Sequence, residues 1–250
     1  FTPELPDSPI PAGPSELDAT PLDPALPDVA KRRPADAGVV RLEVRQAELI
    51  VLPAGPGERL SIEASYDPDL QTLREQLDID DSGAWRYDVA LTSDGGGVMA
   101  WLRHAFAGVT PRLTVHLPAE LRLDLDVDIA QGGGELELGG LWLRAAEVEA
   151  TQAGFDLVFS EPLRAPMEVL RIEASMGGFS ARQLGNASPS LLEIGARMGG
   201  ADVDLSGRWL HDARVRIRAR MGGAELALPS DVNIRGLPGH EREDAEAPTL

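Results

Sequence analysis

The chain of 250 residues is predicted to be all-β and to fold by stacking similar coils into a solenoid. Five stretches share one template: Leu125-Val127-Ile129-Gln131, Ala146-Val148-Ala150-Gln152, Leu170-Ile172-Ala174-Met176, Leu192-Ile194-Ala196-Met198 and Val215-Ile217-Ala219-Met221. Each is followed two residues later by a glycine, and those glycines, Gly133, Gly154, Gly178, Gly200 and Gly223, lie 21, 24, 22 and 23 residues apart. A period of this size marks coil-stacking architectures, here with about 21–24 residues per coil. The apolar residues within each stretch also alternate with polar ones, which is the pattern of a strand buried on one face. Finally, five Phe, four Trp and two Tyr are few for a core of this length, whereas stacked Val, Ile, Leu and Ala can replace an aromatic centre.

Residues 1–38 read as a Pro-rich spacer, because nine of the twenty prolines fall before residue 37, among Asp, Glu and Ala. Such a segment buries too little apolar surface to offset its ordering entropy, and proline biases it toward an extended polyproline II form. Its full reach would be roughly 100 Å at about 3.1 Å per residue. Alternation starts at Val39, with Val40, Leu42 and Val44 on one side and Arg41, Glu43 and Arg45 on the other; Leu49, Val51, Leu60, Ile62 and Ala64 continue it. Residues 66–110 depart from the period and read as an insertion. Within it Trp85, Tyr87, Val89 and Leu91 suggest an outer strand pair, while Val98, Trp101, Leu102, Ala105 and Phe106 have helical spacing. Leu113, Val115 and Leu117 resume the strands, and the solenoid is expected to run over 39–236, with a disordered polar tail over 237–250.

Within each repeat the glycine is placed at the corner between two strands, where a positive φ costs glycine nothing. The three Met-Gly-Gly triplets put Met176, Met198 and Met221 at the inward parity, predicting a stacked thioether column that fills the corner. Ala150, Ala174, Ala196 and Ala219 at the preceding inward position predict a narrow cross-section there. Coils about 4.8 Å apart would pair each strand with its copies in parallel ladders.

The Met-Gly-Gly corners, Gly132-Gly133-Gly134, and the Leu-Pro pairs at 52–53, 117–118 and 228–229 make the chain resemble the toast-rack family of bacterial β-solenoids, the adhesin-like and cell-wall-stress-response domains. The resemblance covers about residues 39–236. It implies a single-stranded right-handed parallel β-helix, outside the cytoplasm or hung from a membrane segment, with no catalytic residues to carry over.

Little else in the chain suggests chemistry. Asp124, Asp126, Asp128 and Glu135 have the spacing of a calcium loop, but position 6 holds Ile129 where that loop needs glycine. They are expected to form an outward stripe, with Glu149 and Glu173 stacked in register with Asp128, which leaves a weaker surface calcium site between coils as an alternative. The four histidines, at 104, 116, 211 and 240, show no zinc-ligand spacing, and no serine stands in a Gly-x-Ser-x-Gly elbow. Asp94-Gly95-Gly96-Gly97 lacks the Lys and Ser or Thr of a phosphate loop. Asn186-Ala187-Ser188 matches a glycosylation sequon and reads as a turn. Arg214, Arg216, Arg218 and Arg220 form an outward row on the last coil, and with Asp124, Asp126 and Asp128 on the first recognised coil they would polarise charge along the axis.

A formal charge of −18, from 41 acids against 23 bases, opposes nucleic-acid binding. No cysteine is present to build a disulfide or a thiolate site, and no apolar run is long enough to span a membrane. The chain begins at Phe1 and not Met, so it reads as a mature product, and any signal or anchor segment, with any membrane association through it, would lie upstream. The expected function is a non-enzymatic binding, scaffold or envelope-stress-sensing module of the cell envelope, without cofactors, whose partner is an envelope protein or cell-wall component. The competing expectation is a carbohydrate-active β-helix using the acids on one outer face. A partner is expected to contact Val98, Trp101, Leu102 and Phe106, which would also cap the open first coil.

Overall fold

The computed structural model describes residues 37–93, 110–230 and 232–235. These residues form sixteen strands in two eight-stranded sheets, and the only helical element among them is a single 3-10 turn at Leu184–Asn186. The first sheet holds β1 (Gly38–Arg45), β4 (Gln71–Ile79), β5 (Trp85–Ser93), β7 (Arg122–Ala130), β9 (Trp142–Thr151), β11 (Val169–Ala174), β13 (Leu191–Arg197) and β15 (Arg214–Arg220). The second holds β2 (Glu48–Pro53), β3 (Ser61–Ser65), β6 (Arg112–Leu117), β8 (Gly133–Glu137), β10 (Gly154–Val158), β12 (Phe179–Arg182), β14 (Gly200–Asp204) and β16 (Gly223–Ala227).

From β7 onward the chain alternates between the sheets, so each consecutive pair of strands adds one layer to both. The ladders are parallel, and their register follows the sequence template: Ala146 pairs with Leu125 and Leu170, Leu170 with Leu192, and Leu192 with Val215. Two more strands join this column in space, since Val40 pairs with both Leu125 and Tyr87. Strand β5 is therefore a full member of the first sheet, next to β1. The strand at Trp85–Ser93, read from sequence as part of an outer pair, contributes Trp85, Tyr87, Val89 and Leu91 to the core.

The order of strands, β4-β5-β1-β7-β9-β11-β13-β15 and β3-β6-β2-β8-β10-β12-β14-β16, shows that the first described strands do not lie at an end. Strands β1 and β2 lie inside the stack. The chain passes outward to β3 and β4, which pair antiparallel with β6 and β5 and finish one end of the two sheets. The first layer in sequence is thus covered by β5 and β6. Val98, Trp101, Leu102 and Phe106, expected to form that cap, lie outside the described residues.

Between the sheets runs an apolar core. Leu42, Leu49, Val127, Leu136, Val148, Leu157, Ile172 and Leu192 are each 0–1% exposed, and full burial of such a side chain contributes about 1.5–3 kcal/mol. Phe155 and Phe179, in register on β10 and β12, stack with centroids 5.1 Å apart. Gly134, next in the same row, makes room for Ile129, whose Cδ1 would lie 2.6 Å from an added Cβ. The alanine column is buried at Ala150, Ala174 and Ala196, while Ala219 in the last strand is exposed.

Candidate functional site

The corner between the two sheets differs from the one the repeat predicts. None of Gly133, Gly154, Gly178, Gly200 and Gly223 has a positive φ; the left-handed residue lies two positions earlier, at Gln131, Gln152, Met198 and Met221, with φ of 61°, 55°, 46° and 50°. Gln46, with φ 57°, occupies the same place in the β1–β2 layer. In the Met176 layer the positive φ falls on Gly177. At Met198 and Met221 this left-handed turn breaks the inward parity of the strand and swings the side chain outward. Met198 and Met221 are 47% and 79% exposed, and Met176, whose own φ is not positive, is 37% exposed as well, so the three form an outer ridge and not the buried thioether column expected. The glutamines that continue this ridge are tied together: Gln46 Nε2 donates to Gln131 Oε1 at 3.0 Å, and Gln131 Nε2 to Gln152 Oε1 at 2.9 Å.

The glycine that sterics demand is the middle one. A Cβ on Gly132, Gly177, Gly199 or Gly222 would lie 2.0, 2.0, 1.6 or 1.8 Å from the carbonyl oxygen of the corresponding residue one layer back. The following glycines are on the outer face of the second sheet, where a Cβ on Gly200 or Gly223 meets nothing within 4 Å. Their column leaves a shallow open trough, floored by Gly133, Gly154 and Gly178 and edged by Glu48, Glu135 and Asp156.

On the outer face of the first sheet, parallel pairing sets charges side by side across neighbouring strands. One row reads Asp88, Arg41, Asp126, Glu147, Arg171, Glu193, Arg216. Arg41 Nε lies 3.5 Å from Asp126, Arg171 bridges Glu147 at 3.1 Å and Glu193 at 3.2 Å, and Arg216 reaches Glu193 at 2.8 Å. Asp124 accepts a hydrogen bond from Arg144 Nε at 2.8 Å. The next row carries four acids in succession, Glu43, Asp128, Glu149 and Glu173. The last three were expected to stack; Glu43 joins them because β1 pairs with β7 from far away in sequence. The signal that could have placed it is Gln46, which ends a Val40-Leu42-Val44-Gln46 stretch matching the repeat template.

The calcium-loop spacing does not become a calcium loop. Asp124, Asp126 and Asp128 point outward from β7 while Glu135 lies on β8 in the other sheet, and among the described residues no three His, Cys, Asp or Glu side chains converge on a metal position. Nor is charge polarised from end to end. The aspartate strand β7 sits inside the stack between β1 and β9, and the arginine strand β15 alone occupies an end. His116 lies on β6, partly exposed, and His211 in an exposed turn; His104, His240 and the glycine run at 94–97 lie outside the described residues. The sequon residues are structural staples: Asn186 Nδ2 donates to the Phe159 carbonyl, its Oδ1 accepts from the Arg208 amide, and Ser188 Oγ accepts from the Leu210 amide.

The electrostatics of the ion-pair row give a pH dependence. Hydrogen bonds from Arg216 and Arg171 hold the Glu193 carboxyl below its ordinary value of 4.5. Its contribution to stability is therefore present above that value and is lost as pH falls through the lower folded value. Asp126 has the opposite sign. Burial raises its pKa above 3.8, Glu147 and Asp128 add to the rise, and Arg41 opposes it, so the stability linked to Asp126 is present below 3.8 and lost as pH rises through the folded value. Glu193→Gln should flatten the acid limb: urea melts between about pH 6 and about pH 3 should show a smaller loss of stability in the variant than in the parent chain. An unchanged acid limb would show that these two arginines do not stabilise the carboxylate.

Two solved structures align with this chain. One is a candidate cell adhesion protein from Clostridium sporogenes, 12% identical, with a TM-score of 0.50 over 79% of this chain and 93% of that one. The other is a candidate adhesin from Bacteroides fragilis, 13% identical, with a TM-score of 0.30 over 77% of this chain and 93% of that one. No family model matches the chain, and no curated protein does. At 12% identity the first likeness concerns the fold alone, and function must be argued from the surface.

Proposed function

We propose that the chain is a right-handed single-stranded β-solenoid of the toast-rack kind, serving as a non-catalytic binding or scaffold module on the outer side of a bacterial cell envelope. The Pro-rich stretch that precedes β1 would serve as a spacer from an anchor or a partner domain. Its partner is an envelope protein or a cell-wall component. The observation that carries this reading is the ion-pair row across the first sheet. Asp126, Glu147 and Glu193 are engaged with Arg41, Arg171 and Arg216, so these carboxylates tie neighbouring strands together. The fold likeness to a candidate cell adhesion protein supports the same reading.

The second reading, a carbohydrate-active β-helix, draws on the in-register acids Glu43, Asp128, Glu149 and Glu173. Glycoside hydrolysis places two carboxyls on either side of the scissile bond. These four stand in one line on one flat sheet face, which favours binding over cleavage. The test has two arms. Purified chain is bound to cell-wall and envelope-protein fractions, and antibody against it is applied to intact cells; surface labelling and retention by one fraction are expected. In parallel the chain is incubated with acidic polysaccharides, with and without calcium. New reducing ends or unsaturated products, lost in Asp128→Asn or Glu149→Gln, would overturn the non-catalytic reading.

A further inference from the structure

The two ends of the stack are built differently. At the β3–β4 end, the edges carry devices that discourage further pairing. Strand β3 has only five residues. Strand β4 places Glu75 on its inward row, opposite the buried Val89, with the carboxylate accepting a hydrogen bond from Tyr87 Oη at 2.8 Å. A strand added beyond β4 would have to cover that charge.

At the β15–β16 end, strand β16 is as short as β3, but β15 has no charge on its inward row, which is Val215, Ile217 and Ala219. Val215 and Ile217 are in register with Leu192 and Ile194, which are 0% and 2% exposed, yet Val215 is 39% exposed and Ile217 half-buried. Both strands end their sheets among the described residues, so each carries a row of backbone donors and acceptors with no described strand beyond it. The outward row of β15 is Arg214, Arg216, Arg218 and Arg220. Inside the stack, Arg171 has an acid on the strands at both its sides. Arg216 has Glu193 on its inner side and no described strand beyond, and Arg214 and Arg218 face Leu191 and Gly195 and make no ion pair with a described residue.

We propose that the β15 edge is a strand-addition site for an extended segment of another protein, one with acidic residues alternating with apolar ones. The backbone edge supplies hydrogen bonds, Val215 and Ile217 receive the apolar side chains, and the arginine row receives the acids, which is the mode of recognition by β-augmentation. A second copy of this chain fits poorly. Two-fold pairing of β15 with β15 brings two rows of four arginines together, and head-to-tail pairing sets Val215 and Ile217 against the row that carries Glu75. The proposal rests on the binding-module reading and supplies the chemistry of its partner.

The full chain is titrated with a synthetic peptide in which glutamate alternates with valine, and with the same peptide carrying lysine for glutamate, while amide exchange is followed strand by strand. The expected result is fast exchange at the β15 edge in the free chain, slowing there on addition of the glutamate peptide, and no effect of the lysine peptide. Arg214→Glu combined with Arg218→Glu should weaken binding at least about tenfold, while Arg74→Glu, on the outward row of β4 at the other end, should leave it unchanged. The variant pair is confirmed as folded by unchanged exchange in β1 and β7. No peptide binding, equal binding of both peptides, or edge amides already protected in the free chain would overturn the proposal. Retention by envelope fractions that survives the paired reversal would remove this site and leave the binding-module reading standing.

Discussion

Gly199→Ala is expected to cost at least about 3 kcal/mol, while Gly200→Ala, one residue along, is expected to cost nothing or to stabilise by about 0.4–1 kcal/mol. The two glycines are equivalent in composition and opposite in surroundings. A Cβ on Gly199 would lie 1.6 Å from the carbonyl oxygen of Gly177 in the preceding layer, and backbone cannot rotate aside as a side chain could. Relief requires the layers to separate at that corner, which lengthens the ladder hydrogen bonds on both sides of it. At Gly200 nothing lies within 4 Å and φ is not in the left-handed region. An alanine there reduces only the freedom of the unfolded chain. Urea unfolding of the two variants checks the pair. Equal effects would mean that the close approach of the corners does not exist in solution.

This pair also shows what the repeat made legible and what it concealed. Periodic spacing placed the strands and the register, because side chains that share a buried column must recur at the same phase of every layer. Leu125, Ala146, Leu170, Leu192 and Val215 pair in the order that their spacing predicts. Phase does not encode φ, however. The sequence shows Met-Gly-Gly, and glycine is the usual guess for a left-handed corner, yet here Met198 and Met221 take that conformation and the next glycine serves a steric contact between layers. That contact joins residues about twenty positions apart, so no local rule reports it.

The surface was partly legible for the same reason. Asp128, Glu149 and Glu173 were placed in one row by spacing alone. Glu43 was not, because β1 enters the stack between β5 and β7 and its neighbours come from distant sequence. The two ends were least legible. Antiparallel β3 and β4 carry no copy of the template, so the repeat gave no sign that they close one end of both sheets. The repeat likewise treats Val215-Ile217-Ala219 as one more copy, although being last leaves the same residue types exposed.

Ile194→Asp should abolish the folded structure from β13 to the β15–β16 end. Ile194 is 2% exposed and in register with Ile172 and Ile217. An ionised carboxylate there has no partner, and burying it costs several kcal/mol against a total stability on the order of 5–15 kcal/mol. Glu193 lies one residue away with opposite parity. Removing it in Glu193→Ala frees Arg216 but leaves Arg171 with Glu147, so the loss should be small beside that of Ile194→Asp, as for other solvent-screened pairs. In a stack where each layer contacts only its neighbours, the damage from Ile194→Asp should also be directional. Among the described residues the two strands beyond β13 and β14 are supported only through them, whereas β1, β5 and β7 are held on both sides by intact layers. Amide exchange should lose protection in β13 to β16 and keep it in β1, β5 and β7. A uniform loss in all strands would mean that the layers unfold as one unit, and protection kept everywhere would mean that Ile194 does not face the core.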